Sequence, residues 1–303
     1  MAIKATRLIW MDGKFVKWKK AKVHILTHSL HYGSSVFEGI HSYKTSQGTA
    51  IFRLNEHINR FFLSANAMSM KIKYTKQQLK QAIKKLVKIN NVSDAYIRPV
   101  AYYGYGNIGV FPKDVPTNIA LITVPWEHYF SNPLRIMTSH FIRHSVKETV
   151  YGTKISGNYA NSILAMYEAR KKGYDEALML DDDGFIAEGP AENIFLVKNK
   201  TLITPNSRSA LPGITRKSIL EISRNMGLKA YERKVSLNEV RNADELFFCG
   251  TATEVAPIIS IDNKKIGNGR TGEVTMRIKK KFNDVVRGKD RKYKKWLTYA
   301  DRK

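Results

Sequence analysis

A lysine at 154 and a glutamate at 188 stand in short stretches of small and turn-forming residues. Lys154 lies within residues 153–158 (TKISGN), just ahead of a predicted helix, where small neighbours let a planar ring approach closely. A lysine amine attacks a carbonyl only when uncharged, a state that burial and a neighbouring cation favour. Glu188 falls where a strand meets the turn at Gly189 and Pro190, a place from which a carboxylate can be aimed into a cleft. A carboxylate set against a pyridine nitrogen keeps that nitrogen protonated, and the ring then withdraws electrons from a carbon bonded through it.

Anion sites accompany this pair. Residues 211–215 (LPGIT) lead into a helix that Thr215 is expected to cap, and the free N–H groups of a helix start favour a phosphate. Thr251 and Ala252, in the small-residue run 250–253 (GTAT), offer hydroxyl and backbone donors after a strand. Arg60 and Arg98 carry guanidinium forks suited to phosphate and carboxylate. In an extended segment Tyr96 and Arg98 share one face, which makes a carboxylate site. Tyr32, Phe37 and Tyr129 supply aromatic surface for an apolar lining. Each residue also has an ordinary structural reading: a surface lysine, a hairpin-end carboxylate in water, a helix cap, a plain loop, a surface arginine, a core ring.

The elements that must position these groups are legible in outline. Residues 7–26 read as short strands around a turn at Asp12 and Gly13. From Asn55, the residues Ile58, Phe61, Phe62, Ala65 and Met68 recur at helical spacing, with Arg60 off that stripe. Thr75 with Gln78 and Ser236 with Glu239 match capping boxes. Residues 96–103 and 118–124 read as strands, as do 134–143, 177–180, 185–187, 194–197, 202–204, 245–249 and 258–261. Helices are predicted over 161–172, ended by Gly173, from Thr215 to Gly227, and over 273–286. A cluster of Pro, Asn and Ser near 125–133 marks a boundary. The expected division is a small N-terminal α/β domain over 1–127, a linker over 128–134, and a larger strand-rich C-terminal α/β domain over 135–303.

Composition narrows the class. Hydrophobic residues make up 43% of the chain, and no apolar run approaches the ~20 residues needed to span a bilayer. The first twenty residues lack the apolar core of a signal peptide. The only cysteine, Cys249, excludes an intrachain disulfide, so a reducing, cytoplasmic setting is expected. The net charge is +25, with 18 Lys and Arg against 4 Asp and Glu in residues 1–100. Those lysines are spread along the chain without a nucleic-acid motif, so a solvated basic surface is expected rather than a nucleic-acid or membrane partner. Residues 277–303 are the densest cluster, with 12 basic against 3 acidic, and read as a helix end with a solvated tail or a contact arm.

Taken in order, residues 31–40 (HYGSSVFEGI), 95–99 (AYIRP), 154–159 (KISGNY), 188–193 (EGPAEN) and 211–215 (LPGIT) resemble the branched-chain aminotransferases of the fold type IV pyridoxal phosphate enzymes. The resemblance runs from about Trp10 to Val286. It implies a mixed α+β and α/β two-domain fold, pyridoxal 5′-phosphate as cofactor, no metal, and at least a homodimer. It implies amino transfer between leucine, isoleucine or valine and 2-oxoglutarate, giving branched 2-oxo acids and glutamate. By the resemblance, Lys154 bonds the cofactor and shuttles the proton, Glu188 pairs with the pyridine nitrogen, and Tyr159 bonds the phenolic oxygen. Arg60, Ile214, Thr215 and Thr251 hold the phosphate. Tyr96, Arg98 and the Thr251–Ala252 backbone receive carboxylates. Tyr32, Phe37, Tyr129 and a loop around Val110 of a partner subunit bound the side-chain pocket. Two features depart from the family: His41 stands where Arg or Lys is usual, and the loop 104–116 differs in length and composition. A D-amino-acid transaminase or an aminodeoxychorismate lyase of the same fold remains the alternative, with a basic nucleic-acid-binding protein as the reading from another class.

Overall fold

Alternation along residues 95–103 organises the first sheet. Ala95, Ile97, Ala101 and Tyr103 are buried while Tyr96, Arg98 and Val100 are half-exposed, the period-two pattern of a strand with one face on a core. The structure, a computed structural model, describes residues 3–126, 130 and 132–302. It divides into two units: Met1–Glu127 with Thr153–Gly157 and Asp284–Lys303, and His128–Gly152 with Asn158–Asn283.

The first unit holds an eight-stranded sheet, antiparallel in every pair among the described residues. Leu8–Met11 and Lys14–Lys17 form the opening hairpin, with Asp12 and Gly13 at positive φ in its turn. Ala95–Tyr103 lies between Thr117–Pro125 on one side and Ile40–Thr45 with Ser35–Phe37 on the other. Two helices, Leu54–Ala67 and Lys76–Asn90, cover the buried face. The second carries the full capping box, Thr75 Oγ1 accepting from the Gln78 N–H while Gln78 Oε1 accepts from Thr75. Ile58, Phe61, Leu79, Ile83 and Leu86 join Ile51, Ile97 and Leu121 in one core.

The second unit holds a nine-stranded mixed sheet. Leu134–Thr138, Glu176–Leu180 and Glu254–Ile261 pair in parallel; Glu245–Gly250 and Asn193–Lys198 continue it antiparallel. Ala160–Lys171, Ile214–Asn225 and Glu273–Val286 are its principal helices. Ser236 and Glu239 complete the second capping box.

Three expectations change. The chain's last residues belong to the first unit. There Leu297–Arg302 is no solvated tail: it pairs with Gly48–Phe52, and Tyr293 and Trp296 ahead of it are buried. The strand expected over 134–143 stops at Thr138, after which Ser139 and Arg143 each donate their backbone N–H to the strand Glu176–Leu180. Thr215 is not a cap: Gly213 is the N-cap and Thr215 sits inside the first turn. Among the described residues, no helix is long and apolar enough to cross a membrane, and no group of three or more His, Cys, Asp or Glu side chains gathers as metal ligands.

Candidate active site

In the first unit the segment 153–157 lies along Ser35–Phe37 as an added strip of backbone. The Phe37 N–H donates to the Lys154 carbonyl at 3.1 Å, Val36 bridges Ile155, and Ser35 Oγ donates to Ser156 Oγ at 2.7 Å. The Lys154 N–H donates to Ser64 Oγ at 2.9 Å. Gly33 has φ 61°, and a Cβ there would lie 2.9 Å from Gly157 Cα, so glycine is required at this approach.

These bonds fix where Lys154 can go. Its side chain is 8% exposed and its Nζ lies 4.7 Å from the Phe37 ring centroid. Arg98 lies over the same ring at 4.7 Å, so Phe37 carries the amine and the guanidinium together. Arg98 Nη2 donates to the Tyr96 hydroxyl at 3.0 Å, while its buried Nε has no hydrogen-bond partner. A buried guanidinium donor left open can donate to an anion. Gly39 fits this corner because a Cβ would stand 2.0 Å from the Tyr96 hydroxyl. His41, opposite Tyr96 in the sheet, is buried with its ring against Tyr43 at 4.3 Å. Tyr32 is exposed and donates its hydroxyl to the Ile108 carbonyl at 2.5 Å. Tyr129 lies outside the described residues.

Arg60 belongs to a buried cluster that sequence reading did not assemble. Its Nε and Nη2 donate to Glu38 Oε1 and Oε2 at 2.6 and 3.0 Å, and His57 Nδ1 meets Oε2 at 2.8 Å. Burial alone would push the Glu38 carboxyl up; Arg60 and then His57 hold it far below the usual carboxylate range. Burial pushes His57 below its ordinary value against the pull of Glu38. Neutral His57 facing a carboxylate must carry its proton on Nδ1.

The second unit holds a buried carboxylate cluster of its own. Glu188 closes the short strand Ile186–Glu188 and is 3% exposed. Its Oε1 accepts from Arg143 Nε at 2.8 Å and from the Leu211 N–H at 3.0 Å; Oε2 accepts from Asn193 Nδ2 at 2.9 Å. Three donors leave room on Oε2 for one more, which suits a protonated ring nitrogen. Arg143 also donates to Ser162 Oγ at 2.7 Å and lies 5.4 Å from the Tyr159 ring. Although burial disfavours its charge, Glu188 and Tyr159 raise the Arg143 pKa above its ordinary value. Arg143 and Asn193 are the residues sequence reading missed here; their partners lie 45 and 5 positions away, and only the asparagine falls within a noticed motif.

Asn193 Nδ2 also donates to the Leu211 carbonyl at 2.8 Å, which lays residues 211–215 beside Glu188. A Cβ on Gly213 would meet Asn193 Oδ1 at 1.9 Å. Gly213 supplies no capping side chain, so no side chain at the cap competes with an anion for the first N–H groups of Ile214–Asn225. Thr251 and Ala252 form the turn between Glu245–Gly250 and Glu254–Ile261, and Thr253 Oγ1 ties that turn to Glu192 at 3.3 Å. The donor set thus fits an anionic phosphate and a pyridine ring.

At the start of the strand Glu176–Leu180 lies a second buried acid. Burial, and then the Glu192 charge, push Glu176 up to about 9, and its Oε2 has no hydrogen-bond partner. Folding therefore takes up a proton at Glu176 between the unfolded value, about 4.5, and about 9. The native state binds the extra proton, so stability falls as pH rises through that window. Glu176→Gln is expected to flatten this slope, raising the urea midpoint at pH 8.5 more than at pH 5; equal shifts at both pH values would remove the assignment.

Known proteins share this fold. The Amino-transferase class IV family matches residues 35–261, and the chain belongs to that family. Over nearly its whole length it is also 42% identical, across 296 residues and 96% of both chains, to the branched-chain-amino-acid aminotransferase of Pseudomonas aeruginosa. It is 37% identical, across 98% of both, to that of Escherichia coli K12. A crystal structure of the T.th. branched-chain amino acid aminotransferase complexed with N-(5'-phosphopyridoxyl)-L-glutamate superposes with TM-score 0.96 at 40% identity, covering 99% of this chain and 100% of that one.

Proposed function

We propose that this protein is a pyridoxal-phosphate-dependent transaminase that moves the amino group between branched-chain L-amino acids and 2-oxoglutarate. The observation that carries it is Phe37 flanked by Lys154 and Arg98, in a chain with full-length branched-chain relatives. When bound, the cofactor supplies a carbonyl carbon for the amine and a protonated pyridine ring as electron sink. Lys154 would hold the cofactor through Nζ, and once the incoming substrate amine had displaced it, the freed Nζ would carry the α-proton away and give it back. Glu188, steadied by Arg143, Asn193 and the Leu211 N–H, holds the ring-nitrogen proton. Tyr159, under the Arg143 charge, donates to the cofactor's phenolic oxygen. Arg60, the first turn at Ile214 and Thr215, and Thr251 hold the phosphate.

The pocket must accept an aliphatic chain and a γ-carboxylate in turn. Phe37 and Tyr32 give apolar surface, with Arg98 Nε and the Tyr96 hydroxyl at its edge. Ala252 and Thr251 offer backbone donors for the α-carboxylate. Arg98→Ala is expected to cut kcat/KM for glutamate by ~10- to 100-fold, the worth of one or two charge-assisted bonds. Leucine should change by less than about threefold; equal losses for both would argue against a γ-carboxylate role. L-leucine against D-alanine as amino donor separates this reading from a D-amino-acid transaminase.

A homodimer is part of the reading. Ile25, Leu30, Ile108, Val110 and Phe111 are 58 to 77% exposed, the first two just before and in the short helix His28–Tyr32 and the others in a second loop of the first unit. Tyr32 and His28 hold the second loop by its Ile108 and Gly109 carbonyls, so this apolar surface is braced rather than loose. Monomers seldom expose such a patch. Light scattering should give a dimer or larger, and Val110→Asp with Phe111→Asp a monomer; a monomeric wild type would end this part.

A further inference from the structure

We propose that Glu38 is a positioning residue that aims Arg60 at the cofactor phosphate, an inference that rests on Arg60 holding that phosphate. Glu38 is fully buried at the end of Ser35–Phe37, directly after the ring that carries Lys154 and Arg98. It touches neither the lysine nor a carboxylate-binding group in any described hydrogen bond, so the transamination steps leave it without a task. Its two oxygens accept four donors: Arg60 Nε at 2.6 Å, Arg60 Nη2 at 3.0 Å, His57 Nδ1 at 2.8 Å and the Gly39 N–H at 3.2 Å.

That arrangement fixes a plane. The side edge of the guanidinium, Nε with Nη2, is held bidentate by the carboxylate. The end edge carries the other three N–H bonds and is turned away from the carboxylate, so its direction is set by the hold on the side edge. An arginine has four side-chain torsions, and holding its fork removes most of that freedom before a ligand arrives. His57 and Arg60 sit three positions apart on Leu54–Ala67, hence on one helix face, and His57 presses on Glu38 from the neighbouring turn. His57 is 1% exposed and neutral, so it adds a donor without adding charge that would turn the carboxylate away from Arg60. The opposite expectation is also physical: a carboxylate beside Arg60 cancels its charge and should weaken a phosphate. The inference is that orientation outweighs cancellation.

The apo-protein is titrated with pyridoxal 5′-phosphate and, separately, with pyridoxal, which lacks the phosphate. Glu38→Gln should weaken the phosphorylated ligand about tenfold or more, as loss of a supporting partner commonly does, and leave pyridoxal within about twofold. His57→Asn, whose amide nitrogen takes the place of Nδ1, should stay near wild type, while His57→Leu should follow Glu38→Gln. In an Arg60→Gln background, Glu38→Gln should add nothing, because the two act through one contact. If Glu38→Gln fails to fold, Glu38→Asp, which withdraws the charge by one methylene, carries the same comparison. Tighter binding, equal loss for both ligands, or full additivity with Arg60→Gln would overturn the inference. If Arg60→Gln itself treats the two ligands alike, the phosphate role of Arg60 falls, and this inference with it.

Discussion

Replacing Lys154 with alanine should lower kcat by at least about 10³-fold, since both the covalent link and the proton carrier are lost. The visible absorption of the purified protein, and its change on adding L-leucine, should disappear with it. Borohydride treatment of the wild type should fix the cofactor's mass on the peptide containing residue 154. The loss should be chemical rather than structural. The backbone here is held by the Phe37 N–H and Ser64 Oγ, which alanine keeps. Alanine removes the contact of Nζ with the Phe37 ring, worth about 1 kcal/mol. The urea midpoint should therefore move little. A variant that kept turnover and the spectral response would remove Lys154 from the mechanism.

Glu188 makes a different forecast, because it supports the fold as well as the chemistry. Glu188→Ala leaves Arg143 buried without its anion and should lower the unfolding free energy by ~3–5 kcal/mol. Removing the orphaned charge as well, with Arg143→Met, should recover much of that stability. It should not recover activity. Glu188→Gln keeps the shape and loses the charge, so turnover should fall ~10²- to 10³-fold while the fold survives. Near-wild-type turnover in Glu188→Gln would end the ring-nitrogen role, whatever the stability data say.

What could be read from the chain was what local residues decide. The capping boxes at Thr75 and Ser236, the stripe Ile58–Phe61–Ala65, and the alternation that sets Tyr96 and Arg98 on one face all follow from spacing over a few residues. Lys154, Glu188 and residues 211–215 were legible through a family resemblance, since one lysine among 51 basic residues announces nothing by itself. Arg143 was hidden because it meets Glu188 across 45 positions, and because residues 134–143 look extended throughout although the strand ends at Thr138. The Glu38, His57 and Arg60 cluster was hidden for the same reason: a glutamate before a glycine carries no sign of the helix 19 to 22 positions on that saturates it. The last strand was misjudged because its basic neighbours suggested solvent, whereas pairing with Gly48–Phe52 is decided by an edge over 240 positions away.

That last pairing bears on how the protein is made. A ribosome releases the chain from its N-terminus, at ~5–20 residues per second. The strip 153–157 and the strand Leu297–Arg302 both belong to the unit that begins first. Residues 128–283 emerge complete while Gly48–Phe52 still lacks its outer neighbour, a bare edge of the kind that invites wrong partners. The unit begun first is therefore the one finished last, and its open edge is what a chaperone would have to guard during translation.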